Sequence, residues 1–365
     1  MVAGHGILEI MNETERETRS NTQNKLSFIM PVAIGSNRVL PKWRKNTKST
    51  TATLQLILAV TSIIRFFNKD HLDTFILITR EEDIDVVRGL ITRIEADTSV
   101  RIYVISELEL CPLLSLSNHT TLSGWQVQQL IKLAAAKMVN TSFYVALDAD
   151  VICTRKCDAT SFVQNGKALT NVQRYFDYYR LYNNPSKENR IKIKRTKNAS
   201  ALLKMKRPMR YWGRYYGDTP VVLHTESVKS LTRYIGDTYS SEWQDVLAEN
   251  NNWTEYALYF LYMEKTGKIQ RYHSMSGRQT ILNLDNSIWL MPQRLKKPLD
   301  YENWPQEDLN NHHGPFVVVQ TWFDEKSWLP TKYKGINEFY YSVAQRLGMG
   351  DVVSKVNHEA EITGE

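Results

Sequence analysis

Cysteine is scarce: three in 365 residues, Cys111, Cys153 and Cys157. Three thiols cannot build a disulfide framework, and the odd count favours a reducing compartment. The first 25 residues are polar and lack the apolar h-region of a secretory leader. Without an export signal, the five N-x-S/T sequons at Asn12, Asn118, Asn140, Asn198 and Asn252 say nothing about glycosylation. No apolar run is long enough to span a bilayer. The best, Leu54 to Phe67 (LQLILAVTSIIRFF), is interrupted by Gln55, Thr61, Ser62 and Arg65 and reads as a buried amphipathic helix. These absences predict a soluble, cytoplasmic protein with no transmembrane segment. Internal repeats and low-complexity tracts are missing too. So is a strong charge imbalance: 46 Lys+Arg less 39 Asp+Glu leaves +7, too mild by itself to make a nucleic-acid binder.

What is present is ordinary globular material, 42% hydrophobic and 23% charged. The length suits one large domain or two fused ones, with a core that needs no staples. Residues 1–24 read as a loose tail. Leu26 to Val32 (LSFIMPV) reads as a buried strand, about 50–67 as a helix, and Asp73 to Thr79 (DTFILIT) as a second strand. Helical spacing of Ile84, Val87, Leu90, Ile91 and Ile94 covers 83–96, and Val100 to Ser106 is a third strand. Strands alternating with helices predict an α/β fold with a mixed, mainly parallel sheet flanked by helices.

The next unit is the most informative. Val127, Leu130, Ile131, Ala134 and Met138 mark one face of a helix over 126–140, with Gln128 and Lys132, four apart, beside that stripe. Phe143 to Leu147 (FYVAL) follows as an almost wholly apolar strand, as expected in a sheet covered on both faces. It ends in Asp148-Ala149-Asp150. Ligands in open α/β sheets sit beyond the carboxyl ends of strands. Two carboxylates there, flanking one small residue, suit Mg²⁺ or Mn²⁺, which take one or two protein carboxylates plus substrate phosphates and waters. The plain alternative is a strand that ends in two solvated Asp residues.

The block GWQVQQLIKLAAAKMVNTSFYVALDADVICTR (Gly124 to Arg155) resembles the metal-site region of nucleotide-sugar-dependent glycosyltransferases of the GT-A fold. It is most similar to soluble bacterial and large-virus members with a Q-Q-x-x-K-L block and a D-A-D motif. Trp253 to Tyr259 (WTEYALY) resembles the group's S-E-Y-x-L-Y segment, and LSFIMPV its first strand. The resemblance implies a GT-A-like, Rossmann-like fold. It implies a metal-dependent transfer of a hexosyl or pentosyl group from a UDP- or GDP-sugar to the hydroxyl of a carbohydrate acceptor. By that likeness Asp148 and Asp150 hold the Mn²⁺ or Mg²⁺, with Asp148 also facing the donor diphosphate. Gln128 and Lys132 face the donor, and Pro31 and Val32 seat the nucleotide base. The plain alternative for Gln128 and Lys132 is a solvated helix flank.

An inverting transfer needs a carboxylate to take the proton of the acceptor hydroxyl. Glu255, at an expected helix start, is the candidate. Asn252-Trp253-Thr254-Glu255 also has capping-box spacing, so a purely structural role competes. Asp218, in the turn Gly217-Asp218-Thr219-Pro220, is the reserve, against ordinary turn chemistry. His224, His273, His312 and His313 could complete a metal shell, although a lone His is more often structural. Cys153 and Cys157 have C-x3-C spacing. Zinc would need two more ligands, so two small buried thiols are expected.

Beyond about 155 the texture changes. Residues 187–214 carry 11 Lys/Arg against the single acid Glu188, a local +10, which leaves 7 − 10 = −3 for the rest. With Tyr211, Trp212, Tyr215 and Tyr216 interleaved, the stretch reads as a flexible acceptor-side loop that closes over an anionic donor. Pro220 to His224, Trp253 to Lys265 and Phe316 to Thr321 read as strand, helix and strand, and the end from about 350 as polar and frayed. The organisation is then tail 1–24, donor half 25–155, acceptor half 156–335 with the basic loop 187–214, and C-terminal helix and tail 336–365. Trp243, Trp253, Trp289, Trp304, Trp322 and Trp328 fit carbohydrate binding, though most aromatics belong to cores. Two other classes compete: a nucleic-acid-binding protein that uses 187–214, and a metal-dependent nucleotide or phosphoryl hydrolase. A nucleic-acid partner is not expected.

Overall fold

The computed structural model describes residues 25–34, 49–95, 100–115, 122–174, 179, 182–206, 214–216, 219–250, 252–275, 281–283, 287–288, 314–320, 329 and 332–355. The first part of the chain forms β1 (Leu26–Pro31), α1 (Ser49–Phe66), β2 (Leu72–Thr79), α2 (Ile84–Glu95), β3 (Ile102–Ser106), α3 (Gly124–Ala134), β4 (Phe143–Ala146) and β5 (Val151–Cys153). Next come the short strands β6 (Val163–Gln164), β7 (Lys167–Leu169) and β8 (Val172–Arg174), then α4 (Pro185–Leu202), β9 (Arg214–Tyr216) and β10 (Val221–His224). The last elements are α5 (Thr225–Tyr239), α6 (Trp243–Glu249), α7 (Glu255–Lys265), β11 (His273–Ser274), β12 (Phe316–Val318) and α8 (Ile336–Arg346).

The central sheet has the order β10-β4-β1-β2-β3. β1, β2, β3 and β4 run parallel and β10 antiparallel, so the sheet is mixed and mainly parallel. Its strands bury both faces because successive side chains alternate. Phe28, Met30, Phe75, Leu77 and Val145 point into one core, with α1, α2 and α8. Ile29, Ile76, Ile78, Tyr144 and Ala146 point into the other, with α3, α5, α6 and α7. Full burial of each such side chain contributes about 1.5–3 kcal/mol.

α1 is the apolar run seen in the sequence, and it is buried on nearly every side. Two of its polar residues hold its neighbours. Ser62 Oγ accepts from Cys153 N at 2.9 Å, and Gln55 Nε2 donates to Val319 O at 3.3 Å. Strand β5 pairs with β12, which brings residues 316–318 back against the segment just after Asp150. The first core therefore includes Phe316, Phe339 and Tyr340 beside β1 and β2, so core packing does not follow a boundary at 155/156.

Three expectations are corrected. Most of the basic stretch 187–214 is not a loop: residues 185–202 form α4. Pro185 sits in its first turn and Asn184 caps it, accepting from Lys187 N at 3.1 Å. Lys and Arg are good helix formers, so a dense positive charge does not by itself break a helix. Ala199 and Leu202 then anchor α4 in the second core. Residues 350–355 are not frayed: they are helical, and Val353 and Met349 are buried in the first core, while 356–365 lie outside the described residues. Of the stretch from Phe316 to Thr321, the described residues are strand over Phe316–Val318, and Thr321 lies outside them. The tail 1–24, Tyr211, Trp212, Trp289, Trp304, Trp322 and Trp328 lie outside the described residues. No described helix is long and apolar enough to cross a membrane.

Candidate active site

β4 delivers Asp148 and Asp150 to the carboxyl end of the sheet. Leu147 N continues the ladder to Ile29 O at 2.8 Å, and the chain then turns, with Val151 N on Asp148 O at 3.2 Å. Asp148 N donates to Thr219 Oγ1 at 3.1 Å, and Val319 N to Asp150 O at 2.8 Å. The backbone of the motif is thus held from β1, from the entry to β10 and from the exit of β12.

The two carboxylates differ. The Asp148 side chain is 27% exposed and takes Lys132 Nζ on Oδ1. Asp150 Oδ1 is buried with no hydrogen-bond partner. Burial pushes the Asp150 carboxyl up to about 7; the charge of Asp148 adds to the rise and Lys132 opposes it. A buried acceptor beside a second carboxylate is a donor set that suits a cation.

Lys132 is the centre of the constellation. It is 1% exposed, so it is not a solvated flank. At 100° per residue, Trp125, Gln128, Gln129 and Lys132 share the face of α3 opposite Val127, Leu130, Ile131 and Ala134, rather than lying beside that stripe. Met138, assigned to the stripe, is 44% exposed in the turn after α3. Besides Asp148, Lys132 Nζ donates to Glu255 Oε1 at 3.1 Å and to Tyr256 Oη at 3.3 Å. Burial alone would lower its pKa, but Asp148, Tyr256 and Glu255 outweigh that and hold it well above its ordinary value. Tyr144 Oη donates to Lys132 O at 2.8 Å and fixes this turn of α3 on β4.

Glu255 is the first residue of α7 and is 2% exposed. The capping-box alternative fails: the cap is Thr254, whose side chain accepts from Ala257 N at 3.1 Å, and Asn252 lies upstream with a left-handed φ of 60°. Glu255 N donates instead to Gln129 Oε1 at 3.1 Å. Burial pushes the Glu255 carboxyl up, against the pull of Lys132.

One cleft gathers Gln128, Lys132, Asp148 and Glu255 from the expected set. Pro31 and Val32 are buried at the end of β1, with Val32 N on Ile78 O at 2.8 Å, and do not line it. Asp218, His312 and His313 lie outside the described residues. His224 and His273 do not approach the motif. His224 pairs in register with Phe143, at the far end of β4 from Asp148. His273 is held between Thr170 Oγ1 at 2.9 Å and Tyr259 Oη at 2.7 Å. Burial pushes these imidazoles down to about 4 and about 3. Cys153 and Cys157 sit with sulfurs 3.7 Å apart, and burial raises the Cys153 thiol.

Sequence reasoning missed Gln129, Tyr256, Thr219 and the α4 residues Lys192 and Arg195, which also line the cleft. For Gln129 a signal existed: Trp125, Gln129 and Lys132 are spaced i, i+4 and i+7. Nothing local marks Thr219 or α4.

Among the described residues no three His, Cys, Asp or Glu side chains cluster as a metal site. Two carboxylates, one carrying an unpartnered buried oxygen, still fit a hard divalent cation that draws its other ligands from a diphosphate and water.

A family model described as a family of unknown function (DUF6492) matches residues 23–344. No curated protein sequence matches significantly. Among solved structures, the chain is similar to apo mouse xyloside xylosyltransferase 1, with TM-score 0.41 and 11% identity over 84% of this chain and 100% of that one. It is similar to the apo-form glycosyltransferase GlyE in Streptococcus pneumoniae TIGR4, with TM-score 0.38 and 11% identity over 93% and 64%. It is also similar to 4-diphosphocytidyl-2C-methyl-D-erythritol synthase from Anaerococcus prevotii DSM 20548, with TM-score 0.34 and 12% identity over 72% and 91%. These are partial likenesses.

Proposed function

The chain belongs to the DUF6492 family, of unknown function, and we propose that it is a GT-A-like glycosyltransferase. It moves a sugar from a nucleotide-diphosphate donor to an acceptor hydroxyl, with Mn²⁺ or Mg²⁺ held by Asp148 and Asp150. The observation that carries this reading is the buried, unpartnered Asp150 Oδ1 two residues from Asp148, which itself, unlike Asp150, lines a cleft together with Glu255. The ion, when bound, neutralises charge on the leaving diphosphate.

The remaining roles fall to this chain's own groups. Lys132 fixes Asp148 and Glu255 in one geometry, which orients the donor end against the acceptor end. Glu255 takes the proton of the acceptor hydroxyl. Burial raises its basicity, which suits a proton acceptor, and Lys132 opposes that rise. A base at that place implies inversion at the anomeric carbon. Gln128 faces the donor from the half-buried rim of α3. Pro31 and Val32 keep a place only as the backbone rim of the base site. Asp218 stays the reserve base, because its neighbour Thr219 bonds Asp148 N.

The test is a thermal-shift screen of UDP- and GDP-sugars with and without Mn²⁺, followed by product analysis. A donor at 100 times its Kd should add about 2.7 kcal/mol of stability. Release of nucleoside diphosphate together with a new glycoside supports transfer; release of inorganic phosphate supports the hydrolase reading. A shift that is equal in EDTA and in Asp150→Asn would remove the metal from the mechanism.

A further inference from the structure

The cleft has a second charged wall that the proposed chemistry does not use. On α4, Lys192, Arg195 and Thr196, spaced i, i+3 and i+4, line the cleft. They are half-buried, whereas Lys194 and Lys197 on the same helix are exposed to solvent. The positive charge of α4 is therefore not only a solvated coat, since part of it faces the cavity. The guanidinium of Arg195 lies 5.0 Å from the ring centroid of Trp125, a 38% exposed side chain in the first turn of α3. That contact fixes one cation on the rim of the site.

The sheet order says which substrate this wall meets. β10 and β1 flank β4 on opposite sides. The cleft reaches the β10 side, where it is lined by Thr219, at the entry to β10, and by Tyr215 and Tyr216 of β9, and it extends to Val318 and Gln320 at the exit of β12. The proposed base site is at the end of β1. A donor that runs from β1 across Asp148 and Asp150 directs its sugar towards β10, and whatever attacks that sugar must come from the α4 side. The acids of the cleft, Asp148 and Glu255, are both paired with Lys132. Lys and Arg side by side on a partly desolvated wall suit a phosphate or a carboxylate.

We propose that Lys192 and Arg195 form an anion subsite and that the acceptor is a saccharide bearing phosphate or carboxylate. The word acceptor rests on the glycosyltransferase reading; the anion subsite does not. Calorimetry on the full chain in low salt with EDTA, which removes any metal that could hold the anion, tests it with glucose 6-phosphate, glucuronate and glucose. The two acids should bind about tenfold or more tighter than glucose. Lys192→Gln/Arg195→Gln should abolish that preference, and Lys194→Gln/Lys197→Gln should leave it. Equal binding of glucose and the acids overturns the subsite, as does an equal loss in both double variants, which would mark a diffuse field. If the first double variant does not fold, Lys192→Gln alone serves. The source of the anion is read with the donor found by the screen above. A Lys192→Gln/Arg195→Gln variant that loses donor affinity and keeps acceptor KM assigns the wall to the donor and overturns the acceptor claim. Absence of nucleoside diphosphate release would sink the glycosyltransferase reading while leaving the calorimetric result intact.

Discussion

Replacing Lys132 with Met tests the core of the site. The side chain is fully enclosed, and its ammonium serves two carboxylates that respond differently when it is removed. Asp148 is 27% exposed and can turn to water, whereas Glu255 is 2% exposed and cannot. Breaking a buried pair by deleting one partner costs about 3–5 kcal/mol. Glu255 can escape part of that only by binding a proton. Its carboxyl is already pushed up by burial, and loss of Lys132 removes the main opposing influence. A folded-state pKa raised above the unfolded value near 4.3 gives a stability contribution that is complete below that value and lost as pH rises through the folded pKa. Lys132→Met should therefore cost about 3–5 kcal/mol at pH 8 and markedly less at pH 5. Urea unfolding of wild type and variant at both pH values measures this, and adding Glu255→Gln should restore most of the loss at pH 8. A loss below about 1 kcal/mol at pH 8, or one independent of pH, would refute the view that Lys132 holds a buried carboxylate in place.

Asp150→Asn should lose Mn²⁺ binding by calorimetry while keeping wild-type stability or gaining slightly, because Asp150 Oδ1 has no partner to lose; a destabilised variant would mean that its charge is structural. Glu255→Gln should bind donor normally and lose about 10² to 10⁴ in turnover, and near-normal turnover would move the base to Asp218. His273, pushed down to about 3 by burial, contributes stability that is complete above its unfolded pKa near 6.5 and is lost as pH falls towards 3. The share lost between pH 6.5 and pH 5 is about 2 kcal/mol, so unfolding free energies at pH 7 and pH 5 should differ by less in His273→Leu than in wild type. An unchanged difference would show that His273 is not held neutral.

The sheet and its motif were legible because their signals are local. β1, β2, β3 and β4 are apolar runs of strand length, and α2 and α3 carry their periodicity in a few residues each. Asp148 and Asp150 stand out because two charges close a wholly apolar strand. Glu255 was legible as a residue but not in its setting. Its capping-box spacing pointed to Asn252, whereas the cap is Thr254, and only tertiary contact with Gln129 and Lys132 explains why a carboxylate is buried there. α4 was misread because composition reports charge and not conformation: Asn184 and Pro185 start a helix whatever charge follows. The return of β12 to β5 and of α8 to α1 comes from partners more than 150 residues apart, which no local pattern encodes.

The division between the two Asp residues follows from their places on the chain. Asp148 directly follows the last ladder contact of β4, at the level of Lys132 on α3, so it is tied into the protein. Asp150 lies across the turn, where its backbone oxygen is taken by β12, its Oδ1 has no hydrogen-bond partner, and Lys132 acts on its carboxyl only by opposing the rise in its pKa. One residue of spacing thus separates a carboxylate tied to Lys132 from one whose Oδ1 is buried without a partner. Moving the second carboxylate by one residue would shift it from the turn into β5, at Val151, whose side chain is fully buried in the first core. The spacing is therefore fixed from both sides: by Lys132 at Asp148, and by the apolar core that begins at Val151.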